Sequence, residues 1–229
     1  MNPGTQMLWQ MSRARRFNRW MADSIAPYIA GDVLEIGAGI GNLTEMLHTA
    51  GRRYVATDTD EEHVKELRAR FPGVEAVRCD AAAARECERL AGCFDTVVCL
   101  NVLEHIEDES ATLENVFSSL KPQGKAIVLV PHGVKAFGSL DKVLLHKRRY
   151  SERQLARAMA DAGFRLEKMI RFNRATYPGW FLNSRILRRR TLSDVQLRLF
   201  DLMVPLWRRV DRFLPWPPTS LIAIGVRER

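Results

Sequence analysis

Long apolar runs are missing from this chain. No stretch of roughly 18 uncharged apolar residues occurs in its 229 residues, so no membrane-spanning helix is expected. Residues 1–10 lack a basic start followed by an apolar stretch. They do not read as a secretory leader, and the expected compartment is the cytosol. Cysteine is scarce. Cys79, Cys87, Cys93 and Cys99 form no C-x-x-C pair, and no histidine stands at zinc-finger spacing from them. That argues against a disulfide framework and a structural zinc, and the thiols at 79 and 99, beside apolar runs, read as buried and reduced. No repeat of fixed period and no low-complexity tract is present, which excludes solenoid and fibrous architectures. Acidic residues are the minority, 27 against 35 Lys and Arg, for a net charge of +8. A basic balance is compatible with nucleic acid, anionic lipid or acidic substrates and selects none of them.

Short apolar runs alternate with helical patterns. Residues 13–29 place Phe17, Trp20, Met21, Ile25 and Tyr28 at helical spacing. Strands are expected at 32–36, 54–57, 74–77, 94–100, 125–130, 164–170 and 221–226. Helices are expected at 43–50, 61–71, 81–90 and 109–120, with a turn at 121–124. Ser151 and Gln154 form a capping box opening a helix to about 162. This alternation predicts an α/β fold: a Rossmann-like, seven-stranded, mostly parallel sheet with helices on both faces. About fifty residues join the last two strands, too many for a simple loop. A helical insertion is therefore expected there, with Pro205 interrupting it. Residues 1–229 read as a single domain, with 1–30 as an N-terminal helical cap and 173–219 as a helical lid.

In an open α/β sheet, ligands bind at the carboxyl ends of the strands. Four candidates fall at such ends. Gly37-Ala38-Gly39-Ile40-Gly41 follows the first strand, Asp58 ends the second, Asp80 with Ala81 follows the third, and Asn101 follows the fourth. Glycines permit a tight turn and a close ligand approach, and a carboxylate after the second strand can accept two ribose hydroxyls. The dinucleotide signature is G-x-G-x-x-G; here the turn is G-x-G-x-G, with Glu35 inside the preceding strand. A carboxylate there suits a cofactor carrying an ammonium and a sulfonium better than a pyrophosphate.

The segments VLEIGAGIGNLT (33–44), ATDTD (56–60), FDTVVCLNVLEHIED (94–108) and LKPQGKAIVLVP (120–131) resemble class I S-adenosylmethionine (SAM)-dependent methyltransferases. The likeness is to the small-molecule group that includes ubiquinone and menaquinone biosynthesis methyltransferases. Leu140-Asp141 and residues 146–151 also resemble that group, and the resemblance covers about residues 13–172 and the final strand. Gln123 departs from it, standing where the group has glycine. The resemblance implies that Glu35, Gly37 and Gly39 line the methionine part of SAM, with Ala38 and Gly41 completing the turn. It implies that Asp58 binds the ribose, that Thr59 lies beside the adenine, and that Asp80 accepts from the adenine amino group. Ala81 would contribute backbone, and Asn101 would lie under the methionine moiety. The product cofactor would be S-adenosyl-L-homocysteine.

Methyl transfer is an in-line displacement that chiefly requires alignment of the acceptor and exclusion of water. A base helps when the acceptor is a hydroxyl, and His105 is the candidate, leaving the end of the fourth strand. Glu104 and His105 alone make an incomplete metal site, so no metal is expected. His132, His146, Arg149 and Tyr150 are candidate acceptor-pocket residues, with Arg149 suited to an acidic substrate. The expected acceptor is a small molecule or a lipid- or sugar-linked intermediate, methylated at oxygen in biosynthesis. Ribosomal RNA adenine dimethyltransferases share the glycine stretch but need Asn-Leu/Ile-Pro-Tyr/Phe after strand four to hold a flipped base. Asn101-Val102-Leu103-Glu104 has neither proline nor aromatic, so no nucleic-acid partner is expected. The insertion carries eight arginines and three aspartates between 185 and 212, interleaved with apolar residues. It reads as a lid, or as a peripheral membrane contact through 182–216.

Overall fold

A computed structural model describes residues 3–191 and 193–228. Its centre is a seven-stranded sheet built from β1 (Val33–Ile36), β2 (Tyr54–Asp58), β3 (Glu75–Arg78), β4 (Phe94–Leu100), β5 (Leu120–Pro131), β6 (Arg165–Phe172) and β7 (Ser220–Val226), in the order β3-β2-β1-β4-β5-β7-β6. Strands β1 to β5 pair in parallel, and β7 lies antiparallel between β5 and β6. The sequence direction reverses between β1 and β4, which opens a crevice at their carboxyl ends.

Central strands are mostly apolar and buried because both faces are covered. On one face, Trp20, Met21 and Ile25 of α2 (Arg15–Ile25) share a core with Leu67 of α4 (Glu61–Arg70), Val33, Val98 and Ile127. On the other, Leu113 and Val116 of α6 (Glu109–Ser119) and Leu155 and Met159 of α8 (Glu152–Asp161) pack on Val55, Val97 and Val128. Helix α1 (Pro3–Ser12) precedes α2. The capping box at Ser151 forms as expected, its hydroxyl accepting from Gln154 N–H.

Several sequence expectations need correction. The helix expected over 43–50 is only α3 (Thr44–Leu47), because His48 already turns extended. Residues 81–90 hold a short α5 (Ala84–Cys87) and a 3-10 turn, Glu88–Leu90, after a turn tied to Asp80. Lys121 to Gly124 is a bulge inside β5 rather than a turn before it. Gln123 there has a left-handed φ of 66°, a conformation that favours glycine. Helix α7 is Ser139–Val143; the insertion contains α9 (Tyr177–Phe181), a π-helical turn Leu182–Ile186 that packs on α7, and one long helix α10 (Asp194–Val210). Pro205 does not interrupt α10, since Phe200, Val204 and Trp207 hold both halves against the α2 core.

Candidate functional site

The glycine turn leaves β1 with Gly37, Gly39 and Gly41 all at positive φ. A side chain at Gly37 would meet Val102 at 2.4 Å, and one at Gly41 would meet Phe71 at 2.3 Å. The turn is therefore closed from below by the residues that follow β4. Leu8 of α1 lies over Gly39, and Asn42 donates to the Leu8 carbonyl at 2.9 Å. Ala38 N–H donates to the Thr57 carbonyl, which ties the turn to β2.

Glu35 sits beneath this turn, 4% exposed. It accepts from the Thr44 hydroxyl at 2.5 Å and the Tyr54 hydroxyl at 2.9 Å. Burial pushes its pKa up to about 7, against the lowering effect of those two hydrogen bonds. Asp58, at the end of β2, accepts from Gly39 N–H on Oδ2 at 2.8 Å and from Asp60 N–H on Oδ1 at 2.9 Å, with His63 3.2 Å away. Burial opposes its ionisation, but hydrogen bonds from His63, Asp60 and Gly39 outweigh that and hold the carboxyl below its usual range. Each carboxylate oxygen can accept about two hydrogen bonds, so Oδ2 keeps capacity for a ribose hydroxyl. Thr59 is exposed beside it.

Asp80 accepts from Ala82 N–H at 2.9 Å, so its carboxyl caps the turn that follows β3. Ala81 is buried, and its carbonyl accepts from Asn115. Asn101 is exposed and left-handed, φ 57°, a conformation asparagine tolerates better than most residues. Its N–H donates to Leu129 of β5. The set fits SAM in its donor chemistry: a glycine cradle, an ionised carboxylate with spare acceptor capacity, and buried Glu35 below.

A second cluster begins two residues past Val102. Glu104 is 0% exposed, and neither carboxyl oxygen has a hydrogen-bond partner among the described residues. Burial raises its pKa to about 8, with Arg149 pulling the other way. His105 is at the surface, its ring 4.8 Å from that of His146. Desolvation by the surrounding chain, then the neighbouring His146, lower its pKa to about 4. His146 Nδ1 lies 3.0 Å from Asp141, and its Nε2 lies 3.9 Å from Glu104. Glu104, His105 and His146 thus offer three donor atoms within 4.8 Å of one another. The sequence showed only the first two as neighbours; the third comes from the segment after α7.

The other acceptor candidates face inward. Arg149 is buried and donates to Asp141 at 2.7 Å and to the His132 carbonyl at 2.9 Å, with Trp180 stacked 4.6 Å from its guanidinium. Its fork is occupied within the protein rather than offered to an acidic acceptor. Tyr150 is also buried, and its hydroxyl donates to Glu109. His132 Nδ1 pairs with the Tyr150 carbonyl at 2.9 Å, and burial lowers its pKa. Sequence reasoning gave no role to Asp141, which orients both His146 and Arg149, nor to Trp180. The insertion is clamped onto this cluster: Ser139 donates to the Ser184 carbonyl at 3.0 Å and Arg185 to the Phe137 carbonyl at 3.1 Å.

A family model described as a methyltransferase domain matches residues 11–169. A protein of Mycolicibacterium smegmatis named as a probable S-adenosylmethionine-dependent methyltransferase is 30% identical over 138 residues, 59% of this chain and 52% of that protein. The ubiquinone biosynthesis O-methyltransferase of Ralstonia nicotianae is 30% identical over 115 residues, 48% of this chain and 47% of the relative. The chain thus spans about half the length of the curated relatives it matches. A SAM-dependent methyltransferase from Archaeoglobus fulgidus superposes with a TM-score of 0.63 at 19% identity, covering 93% of this chain and 94% of the other. One from Mesorhizobium loti gives 0.61 at 16%, covering 90% and 96%. At such identities the likeness is one of fold. The chain belongs to the methyltransferase-domain family. Its sheet is the class I fold of SAM-dependent methyltransferases, and SAM is the cofactor that the family implies.

Proposed function

We propose that this protein transfers the methyl group of SAM to a hydroxyl of a small molecule or of a lipid- or sugar-linked intermediate. One observation carries the reading: the five residues after β4 supply both the wall of the glycine turn, through Val102, and the acid–base cluster, through buried Glu104 and surface His105. Their closeness on one short segment supports donor and acceptor functions side by side. The O-methyltransferase named among the relatives supports oxygen as the acceptor atom.

Bound SAM supplies a methyl group already activated by positive sulfur. Asp58 would hold the ribose end, and the turn from Gly37 to Gly41, with Glu35 beneath and Asn101 beside it, would hold the methionine end. Thr59, Asp80 and Ala81 flank the adenine. The methyl carbon would exchange its bond to sulfur for one to the acceptor oxygen, the bonding pair leaving with sulfur as S-adenosyl-L-homocysteine, and the acceptor hydroxyl would become strongly acidic. His105, kept neutral at physiological pH, takes that proton. Asp141 fixes the ring of His146, which packs on His105. Residues 173–219 act as the lid that shields this face from water, and 1–30 as the cap over the glycine turn.

Calorimetry with SAM, paired with transfer of a labelled methyl group to hydroxylated acceptors, tests the proposal. Asp58→Ala should weaken SAM binding about 100-fold or more, since it removes charge-assisted hydrogen bonds. His105→Gln should retain SAM binding and lose transfer. Unchanged SAM affinity in the first variant, or undiminished transfer in the second, refutes the assignment concerned.

A further inference from the structure

Helix α10 is apolar on two sides. Its inner side, with Phe200, Val204 and Trp207, packs on α2, where the Phe17 and Phe200 rings are 5.5 Å apart. Its outer side carries Val195, Leu199, Leu202 and Leu206, which are 74%, 60%, 59% and 44% exposed. Their spacing of four, three and four residues lines them up as one stripe. Single exposed leucines are ordinary, but an aligned apolar stripe marks an interaction surface.

Beside the stripe lies a groove of about 540 Å³ between α2 and α10, lined by Arg15, Arg16, Arg19, Arg208 and Arg209 among others. Arg15, Arg16 and Arg208 pair with Glu45, Asp201 and Asp23. Arg19 and Arg209, like Arg198 on the outer side, have no carboxylate partner among the described residues. The aspartates of the helix offer little countercharge. Asp201 is buried against Phe17 N–H, and Asp194 pairs with Arg13. Apolar side chains flanked by unpaired guanidinium groups complement one chemistry, an anionic lipid bilayer: acyl chains for the stripe and phosphates for the groove. A second copy of this chain would bring the same arginines together, and a nucleic acid would leave the stripe exposed to water.

We propose that the outer face of α10 and the adjoining arginine groove dock this protein on anionic membrane surfaces. This surface is separate from the cofactor site and stands whether or not the acceptor reading holds. The test is sedimentation of the full chain with phosphatidylcholine vesicles, with and without an equal part of phosphatidylglycerol. Binding should require phosphatidylglycerol and weaken with salt. Leu199→Glu with Leu202→Glu should reduce it about tenfold or more, and Arg19→Gln with Arg209→Gln about fivefold per arginine. Both double variants should keep the wild-type circular dichroism spectrum and urea midpoint, which shows that they fold. No binding, equal binding to neutral vesicles, or equal binding by both double variants overturns the proposal. So does a wild-type dimer that the leucine variant dissociates, because the stripe would then belong to a second copy.

Discussion

Glu35 shows how one residue couples fold and site. Its folded pKa of about 7 lies above the ordinary value of 4.5, because burial penalises the charge. Between those two values the unfolded chain loses this proton and the folded chain keeps it. The folded state then binds more protons, so this group's contribution to stability falls as pH rises from about 4.5 to about 7. Glu35→Gln removes the titration and keeps an acceptor for Thr44 and Tyr54. Relative to wild type, the variant should gain roughly 2–4 kcal/mol between pH ~4 and pH ~8 in the ligand-free chain. Urea unfolding at both pH values measures this; parallel stabilities would show that the carboxyl is already ionised when folded. Gln123 is a second residue whose meaning appeared only in three dimensions. Its left-handed backbone explains why the related group has glycine there, and its N–H is held by the Arg227 carbonyl at 2.6 Å.

Among the elements, α10 departs most from expectation. Proline inside a helix removes one hydrogen bond and crowds the preceding turn, at a cost of about 3 kcal/mol. Packing of the inner side on α2 offsets that cost, so the helix continues. Pro205 is exposed, and Pro205→Ala should stabilise the protein by ~1–3 kcal/mol, read from the denaturant midpoint. A destabilised variant would mean that the helix needs the kink. The same contrast explains what was legible. Strand β4 was readable to the residue, because its covered half, Val97 to Leu100, is a short apolar run bounded by Gly92 and Asn101. The glycine turn, Asp58 and Asp80 were readable because each stands at a strand end, where local sequence sets position. The bulge at Gln123, the continuity of α10 and the brevity of α3 were not, since tertiary contacts decide them. On the acceptor side, Glu104, Asp141, His146 and Trp180 come from three separate stretches, and no local pattern announces their meeting.

At the scale of the whole molecule, the cofactor turn is tied to nearly every neighbouring element. Gly39 bonds Asp58 of β2, Val102 after β4 closes on Gly37, and Leu8 of α1 covers Gly39. A ligand seated there binds only the folded chain, so it stabilises the entire fold by mass action. SAM at about 100 times its dissociation constant should add ~2.7 kcal/mol and raise the melting temperature by roughly 5–10 °C. Scanning calorimetry with and without SAM checks this, and Asp58→Ala should abolish the shift. A protein that melts at the same temperature with SAM present would not hold it at this site.

The antiparallel seating of β7 has a consequence for how such a molecule diversifies. Phe172, where the chain leaves the sheet, stands directly opposite Ser220, where it returns. Directly opposed residues of antiparallel strands are only about 5 Å apart. Everything between them therefore leaves and re-enters the sheet at one point, and its inner side is held further by α2 and α7. Its exposed outer side can change in length and charge while strands β1 to β4 keep their register. A surface carried on this segment and a ligand held at the glycine turn are free to evolve at different speeds.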